Sequence, residues 1–452
     1  MKIIIIGCGK VGTSVIKQLS QEKHDIAIVD KNTELVEELS GKYDVLGIGG
    51  NGASSNVLME AGIENADFLI AVTESDEVNL LCCLFAKKAG KCETIARVRN
   101  PIYNKEIKYI KDELSLSMVI NPEYAAATEI ARILRMPSAI EINTFAKGRV
   151  ELLKFKLKSE SILHGMSLID ISNILKCDVL ICAVERGDDV FIPTGQFILR
   201  ANDLISIIAS PENASIFFKK ISIETNQAKS VMIVGGGRIT HYLGEQLSSI
   251  GISIKIIETK MEICEELSDN LPEAIVIHGD GTNYELLNEE GIENTDAFAT
   301  LTGFDEGNIM LSLFAKYRTK AKLITKINKR TFNEVVENLD LGTIIQPEYI
   351  AGEYIINYIR GRQNSTGSNV ESLYKIIEDR VEALEFSLKE DSDVTNIQLV
   401  DLKLKENLLV ACINRNGKII IPRGHHSLLI GDTVIIVTTN LGLDNIKDIL
   451  KG

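Results

Sequence analysis

The sequence predicts an α/β chain of two tandem modules, each a Rossmann-like parallel-sheet domain followed by a small α+β domain. Three observations predict it. The chain opens on "KIIIIGCGKVG" (residues 2–12), an apolar strand running straight into a glycine-rich turn. The sequence is also written twice. Each copy begins with strands alternating with helical patterns and ends with a shorter, strand-rich stretch, the first a parallel-sheet signature and the second not.

The repeat is direct. "VMIVGGGRITHYLGEQLSSIGISIKIIE" (231–258) echoes "IIIIGCGKVGTSVIKQLSQEKHDIAIVD" (3–30), with Gly235 answering Gly7. "GDGTNYELLNEEGIENTDAFATLTGFDEGNIMLSLFAK" (279–316) answers "GNGASSNVLMEAGIENADFLIAVTESDEVNLLCCLFAK" (50–87). "QPEYIAGEYIINYI" (346–359) answers "NPEYAAATEIARIL" (121–134), and "IIIPRGHHSLLIGDTVIIVTT" (419–439) answers "VFIPTGQFILRANDLISIIAS" (190–210). The expected domains are therefore 1–122, 123–225, 226–347 and 348–452.

Within the first copy, apolar strands are expected at 3–6, 26–29, 44–48, 67–72 and 93–98. Helical patterns lie between them near 10–21, 32–40, 53–62 and 75–89, so the strands pair in parallel through right-handed crossovers. The small domain reads as strand 150–157, a short helix near 167–174, and strands near 179–185, 190–192 and 204–209. "RGD" (186–188) and "RNG" (415–417) carry the residues of tight hairpin turns. "GRQNSTGSN" (361–369) has the Ser, Asn and Gly content of a linker.

Composition narrows the function. The chain has 452 residues, 45% hydrophobic and 25% charged, with a formal net charge of −14. That balance argues against nucleic acid, which demands basic faces, and the sequence has no polybasic run for an anionic membrane. No apolar run approaches the roughly 18 residues of a membrane span, so direct membrane insertion is not expected. One lysine and four isoleucines before the glycines do not make a signal peptide. The eight cysteines (8, 82, 83, 92, 177, 182, 264 and 412) include no C-x-x-C pair. Reduced thiols without a metal are expected, and the histidines show no ligand spacing.

The chemistry sits at the turn. In "GCGKVG", Gly7 permits the tight bend, Gly9 lets the backbone approach a pyrophosphate, and Gly12 lets helix and strand pack closely. With Cys8, Lys10 and Val11, these residues would cradle a phosphate at a helix N-terminus, where free N–H groups and the helix dipole favour an anion. Asp30 ends the next strand, 23 residues after Gly7. It is placed to accept hydrogen bonds from a ribose diol and to repel a 2′-phosphate, which favours NAD or an adenine nucleotide over NADP. In the second copy, Gly235, Gly236, Gly237, Arg238 and Ile239 form the turn, Thr240 replaces the third glycine, and Glu258 stands in for the acid. A Cβ at 240 should push helix and strand slightly apart, although a side chain this short can be tolerated, and Arg238 could fork onto phosphate oxygens. Further candidates lie at the carboxyl ends of strands, where open α/β sheets bind ligands: Asn51, Gly52, Thr73, Glu74 and Arg97, answered by Asp280, Gly281, Thr302 and Lys326. Asp76, Glu77 and Asn79, with Asp305, Glu306 and Asn308, read instead as helix caps and first-turn acids.

The ordered series "GCGKVG…VD…GNGA…AGIENADFLIAVTESDEVNLL…ARVR", followed by a β-rich unit and then repeated, resembles the TrkA family of Trk potassium-uptake proteins. The resemblance covers nearly the whole chain. It implies two tandem RCK (regulator of K⁺ conductance) modules, each a Rossmann-like RCK-N domain and an RCK-C ligand domain. It further implies a peripheral cytoplasmic subunit on the inner face of the plasma membrane. Such a subunit binds NAD(H), ADP or ATP and gates K⁺ flux through a membrane-embedded, TrkH-like channel or transporter subunit. It implies self-association into a ring, two-fold or four-fold by chain; a chain with two modules needs four copies to supply eight, so a tetramer is expected first and a dimer next. The family's nucleotide site falls on Gly7 to Val11, Asp30, Asn51, Gly52, Thr73, Glu74 and Arg97.

Two other readings remain beside it. An orphan RCK regulator of another cation transporter would share every motif named. A nicotinamide-dependent oxidoreductase would need a substrate domain and an acid–base set, and neither stands out in the sequence. The expectation is a sensor and not an enzyme. Sensing requires a ligand that binds two conformations unequally, and "NPEYAAATEIARILRMPSAIEIN" (121–143) is the expected hinge. Its apolar helix 123–135 should pack against another RCK module.

Overall fold

A computed structural model describes the chain except residues 23, 136–140, 146–148, 223–226, 329–338, 340, 364–369, 378–379, 444 and 452. Most of the linker expected at 361–369 and residues 136–140 of the expected hinge therefore lie outside the described residues. By contacts the chain divides into two interleaved units: 1–134 with 228–356, and 135–227 with 357–452.

The first Rossmann lobe runs β1 (Lys2–Ile6), α1 (Lys10–Leu19), β2 (Asp25–Asp30), α2 (Thr33–Tyr43), β3 (Leu46–Gly49), α3 (Ser55–Glu60), β4 (Phe68–Ala71), α4 (Asp76–Ala89), β5 (Glu93–Arg97), α5 (Pro101–Lys105), α6 (Ile107–Glu113), β6 (Met118–Ile120) and α7 (Pro122–Arg135). Its sheet order is β3-β2-β1-β4-β5-β6, all parallel. Ile3 to Ile6 and Phe68 to Ala71 are buried without alternation, because helices cover both faces of a parallel sheet. The strand order reverses between β1 and β4, which opens a crevice at their carboxyl ends.

The first small domain comprises β7 (Glu141–Phe145), β8 (Val150–Lys156), α8 (Leu168–Leu175), β9 (Val179–Arg186), β10 (Asp189–Phe191), β11 (Leu204–Ala209) and α9 (Pro211–Lys220). Strand β7 and helix α9 were not anticipated in the sequence. Ser210 caps α9 by accepting from Asn213 N, and Pro211 starts it. The hairpin at 186–189 turns through Gly187, whose φ of +61° suits a glycine.

The second lobe repeats the first: β12 (Ser230–Val234), α10 (Arg238–Ser249), β13 (Ser253–Glu258), α11 (Met261–Asn270), β14 (Ile275–His278), α12 (Tyr284–Glu289), β15 (Ala297–Thr300), α13 (Asp305–Arg318), β16 (Lys322–Lys326), β17 (Thr343–Ile345) and α14 (Pro347–Gln363). Its sheet has the same order, β14-β13-β12-β15-β16-β17. The second small domain contains β18 (Val370–Ile377), β19 (Val381–Ser387), β20 (Leu408–Arg415), β21 (Lys418–Ile420) and β22 (Thr433–Thr438). Its hairpin at 415–418 turns through Asn416 and Gly417, with φ of 51° and 86° as a type I′ turn requires. A single 3₁₀ turn at Ile446–Ile449 stands where the first small domain has α9.

Each unit pairs the two copies. In the first, α7 leaves lobe one and buries Ala126, Ala127, Ile130 and Leu134 in the same core as Val231, Ile233, Ile239 and Leu243 of lobe two. The start of α14 lies reciprocally on lobe one: a Cβ on Gly352 would stand 3.1 Å from Ser14 Oγ, and Lys10 pairs with Glu348 at 3.9 Å. The helix expected to pack on another module does so within its own chain. In the second unit the two five-stranded sheets meet through Phe145, Leu152, Cys182 and Ile208 on one side and Val381, Ala383, Cys412 and Val437 on the other.

Candidate functional site

Turn one is held by contacts within the protein. Gly7 has φ +97°, and a Cβ there would stand 2.7 Å from Thr73 N, so the turn lies directly against the end of β4. A Cβ on Gly12 would stand 1.9 Å from Gly7 O, which forces glycine where α1 crosses the turn. Gly9 is different. Its φ of −64° and ψ of −168° are open to any residue, and nothing lies within 4 Å of a Cβ built on it. The fold does not require glycine at position 9. Gly237 in the second turn has the same conformation and the same open space.

Asp30 holds the turn from below. Its Oδ2 accepts from Cys8 N at 2.6 Å and its Oδ1 from Asn32 N at 2.9 Å. Glu258 does the same in the second copy, accepting from Gly236 N at 2.7 Å, Lys260 N at 2.9 Å and Thr259 Oγ1 at 3.0 Å. Burial pushes the Glu258 carboxyl up, but these hydrogen bonds outweigh it and leave its pKa below the usual value. Each acid thus has a structural task, and each carboxylate oxygen keeps a further lone pair to offer. Burial and the neighbouring Asp30 push the Cys8 thiol up to about 12, so it stays a thiol.

Thr240 stands where the first copy has Gly12. It is fully buried, and its Oγ1 donates to Gly235 O at 2.5 Å. The side chains of Val11 and Ile239 point into the lobe cores, so these two can offer only backbone to a ligand. Gly52 and Gly281 are required by packing: a Cβ on them would stand 2.1 Å from Ile6 Cγ2 and 2.3 Å from Val234 Cγ1. Asn51 and Asp280 are exposed beside them, each folding its side-chain oxygen onto a backbone N–H two residues on.

Asn79 and Asn308 do more than cap. Asn79 is fully buried; its Oδ1 accepts from Thr73 N and Oγ1, and its Nδ2 donates to the Thr73 and Arg97 carbonyls. Asn308 ties Thr302 and Lys326 in the same way. One amide thereby locks the β4 loop to the end of β5. Asp76 accepts from Arg99 N and Asn100 N, fixing the next loop. Glu74 is exposed at the rim.

Arg97 and Lys326 come together. Arg97, Arg99, Glu123, Arg238, Lys326 and Glu348 all line one cavity of about 250 Å³ between the two lobes. Arg97 donates to Thr73 O, and its Nε is buried without a hydrogen-bond partner. Burial lowers the pKa of Arg97, with the Arg99 charge adding to it, and burial lowers that of Lys326. Arg99 is clamped by Glu123. The sequence had assigned these cations to separate crevices. The second unit contains a larger, mostly apolar cavity of about 670 Å³ between α8 and the loops of both small sheets.

All eight cysteines are free, and the described residues hold no cluster of metal-ligating side chains. No helix among them is long and apolar enough to cross a membrane.

Two parallel sheets ordered 3-2-1-4-5-6, each with a glycine-rich turn over an acid, and two small β-rich domains define a tandem RCK protein. The TrkA-N domain matches residues 3–122 and 231–347, and the TrkA-C domain matches 152–222 and 383–451. The chain belongs to the TrkA family. It is 32% identical to the Trk system potassium uptake protein TrkA homolog 1 of Methanosarcina mazei, with all of both chains covered. It is 30% identical to the Trk system potassium uptake protein TrkA of Halomonas elongata, covering 96% of this chain and 95% of that one. The fold is shared with the GsuK channel bound to NAD, at TM-score 0.65 and 15% identity, over 97% of this chain and 77% of the other. It is shared equally with the GsuK RCK domain, at TM-score 0.64 and 15% identity, over 97% and 92%.

Because Asp30 braces the turn, Asp30→Ala should be a double lesion. Removing a charged acceptor costs about 1–3 kcal/mol. The expected result is roughly tenfold weaker nucleotide binding together with a lower Tm, because the N–H groups of Cys8 and Asn32 lose their partner. Calorimetric titration and thermal unfolding of the same preparation check both.

Proposed function

We propose that the chain is the nucleotide-responsive regulatory subunit of a potassium-uptake system, with NAD(H), ADP or ATP held at the first turn. The observation that carries this is Gly9. The fold leaves an exposed, uncrowded glycine at the N-terminus of α1, where a side chain would block a phosphate and disturb nothing else. Gly7 to Val11 would hold the pyrophosphate through backbone N–H groups. Asp30 would take the ribose hydroxyls, with Asn51, Thr73 and Glu74 along the crevice. Gly235 to Ile239, Glu258, Asp280 and Thr302 form the corresponding second site. Arg97 and Lys326 would act from the cavity between the lobes.

The relatives' names supply the physiological context: they are uptake proteins of Trk systems. The partner is a membrane-embedded, TrkH-like potassium channel or transporter subunit, and the chain acts from the cytoplasmic face. Four copies, or failing that two, would complete a ring. In this reading the protein binds a nucleotide and responds to it without turnover.

Titration calorimetry with NAD, NADH, ADP, ATP and NADP tests this reading. NADP should bind more weakly, because Asp30 repels a 2′-phosphate. Equal or tighter NADP binding would contradict the assignment of Asp30, and NADH oxidation above background with a panel of carbonyl compounds would contradict the absence of turnover. A light-scattering mass equal to one chain would contradict the ring.

A further inference from the structure

The two copies differ at a contact beside the turns. Tyr242 sits on α10, one helical turn beyond the phosphate end of the second site. Its ring is 2% exposed and packs edge-to-face on Tyr124 of α7, with centroids 5.5 Å apart. Its hydroxyl donates to the Arg99 carbonyl at 3.1 Å and accepts from Asn121 Nδ2 at 3.1 Å. Both partners belong to lobe one and reach its site. Asn121 Oδ1 accepts from Tyr124 N at the start of α7. Arg99 lies two residues beyond Arg97, whose guanidinium holds the Thr73 carbonyl, and Thr73 is the residue against which Gly7 turns.

The corresponding residue of the first copy is Ser14. Its hydroxyl is buried without a hydrogen-bond partner beside Gly352 of α14. The ion pairs at the two turns are matched, Lys10 with Glu348 and Arg238 with Glu123, each at 3.9 Å. The tyrosine link is not matched.

We infer that Tyr242 is a positioning residue that couples the two nucleotide turns, so that a nucleotide bound at the second turn changes the affinity of the first. The inference rests on the nucleotide-binding reading above. A ligand that draws on the N-terminus of α10 moves Tyr242 with it, and the hydroxyl carries that movement to the Arg99 carbonyl and the cap of α7. The coupling is thermodynamically reciprocal although the contact is one-sided.

The test compares isotherms of the full-length chain, with ADP and NAD as probes. Gly9→Asp leaves only the second turn and Gly237→Asp leaves only the first. The wild-type isotherm should depart from the sum of these two by a factor of about five or more, the lower range of measured couplings. Tyr242→Phe should bring it back to the sum with each single-turn constant unchanged within about twofold. Asn121→Asp, which keeps the oxygen that accepts from Tyr124 N but loses the donor to Tyr242, should reduce the factor as well. A factor fully retained in Tyr242→Phe overturns the inference, as does a wild-type isotherm already equal to the sum or an empty second turn in Gly9→Asp. Absence of any binding by the wild type would overturn the nucleotide reading itself, and the coupling with it.

Discussion

Replacing Gly9 with aspartate should weaken nucleotide binding at the first turn about 100-fold while leaving the protein at least as stable as before. The two effects separate because of where Gly9 stands. It is the N-cap of α1, and it caps without a side chain. Aspartate ranks at least as well as glycine at an N-cap, and its charge complements the helix dipole. Its φ and ψ are extended, and its Cβ would meet nothing within 4 Å. The same carboxylate would occupy the space of the phosphate and repel it. A loss of about 100-fold in affinity, about 2.8 kcal/mol, is expected. Calorimetry and thermal unfolding of Gly9→Asp check it. Unchanged affinity would mean that the open space at Gly9 does not receive a phosphate.

Ile130→Ala should do the converse. Ile130 lies at the centre of α7, fully buried, in the core shared with Val231, Ile233 and Leu243 of the second lobe. Truncating a buried isoleucine costs about 2–5 kcal/mol, depending on how far the cavity collapses. For a unit of this size that corresponds to a fall in Tm of roughly 4–20 °C. No residue of the first turn belongs to that core, so the affinity of the first turn should hold. Ile102→Ala, at a position 71% exposed, is the control and should move Tm little. If Ile130→Ala is equally neutral, the exchange of helices between lobes contributes little to stability.

The sequence made the repeat, the parallel sheets and both turn acids legible because these are local patterns. Four isoleucines ending in Gly7 can hardly be anything but a buried strand and a turn. The spacing of 23 residues to Asp30 and Glu258 is a property of the strand–helix–strand unit itself. Other features were not legible. Strands β6 and β17 have three residues each, too short for a period to show. Asn79 and Asn308 sit in the first turn of a helix, where a short polar residue reads as a cap. That they are fully buried and bind two strand ends depends on contacts across the lobe. A signal was available in the paired occurrence of D-E-x-N in both copies, since a cap alone does not need an amide four residues in. The meeting of Arg97 with Lys326, and the seating of α7 on the second lobe, follow from pairing between copies. No window of sequence contains both partners. Thr240 takes the place of the third glycine, and the bond from its hydroxyl to the Gly235 carbonyl could not be read from the sequence.

The central claim is that a nucleotide at the first turn controls potassium movement through a membrane partner. Potassium flux into vesicles holding the TrkH-like subunit, with and without this chain, tests it most directly. Flux should change when NAD(H), ADP or ATP is added with the wild-type chain, and should not change with Gly9→Asp at the same concentration. Flux that ignores nucleotide with the wild type, or responds equally with Gly9→Asp, would contradict the account.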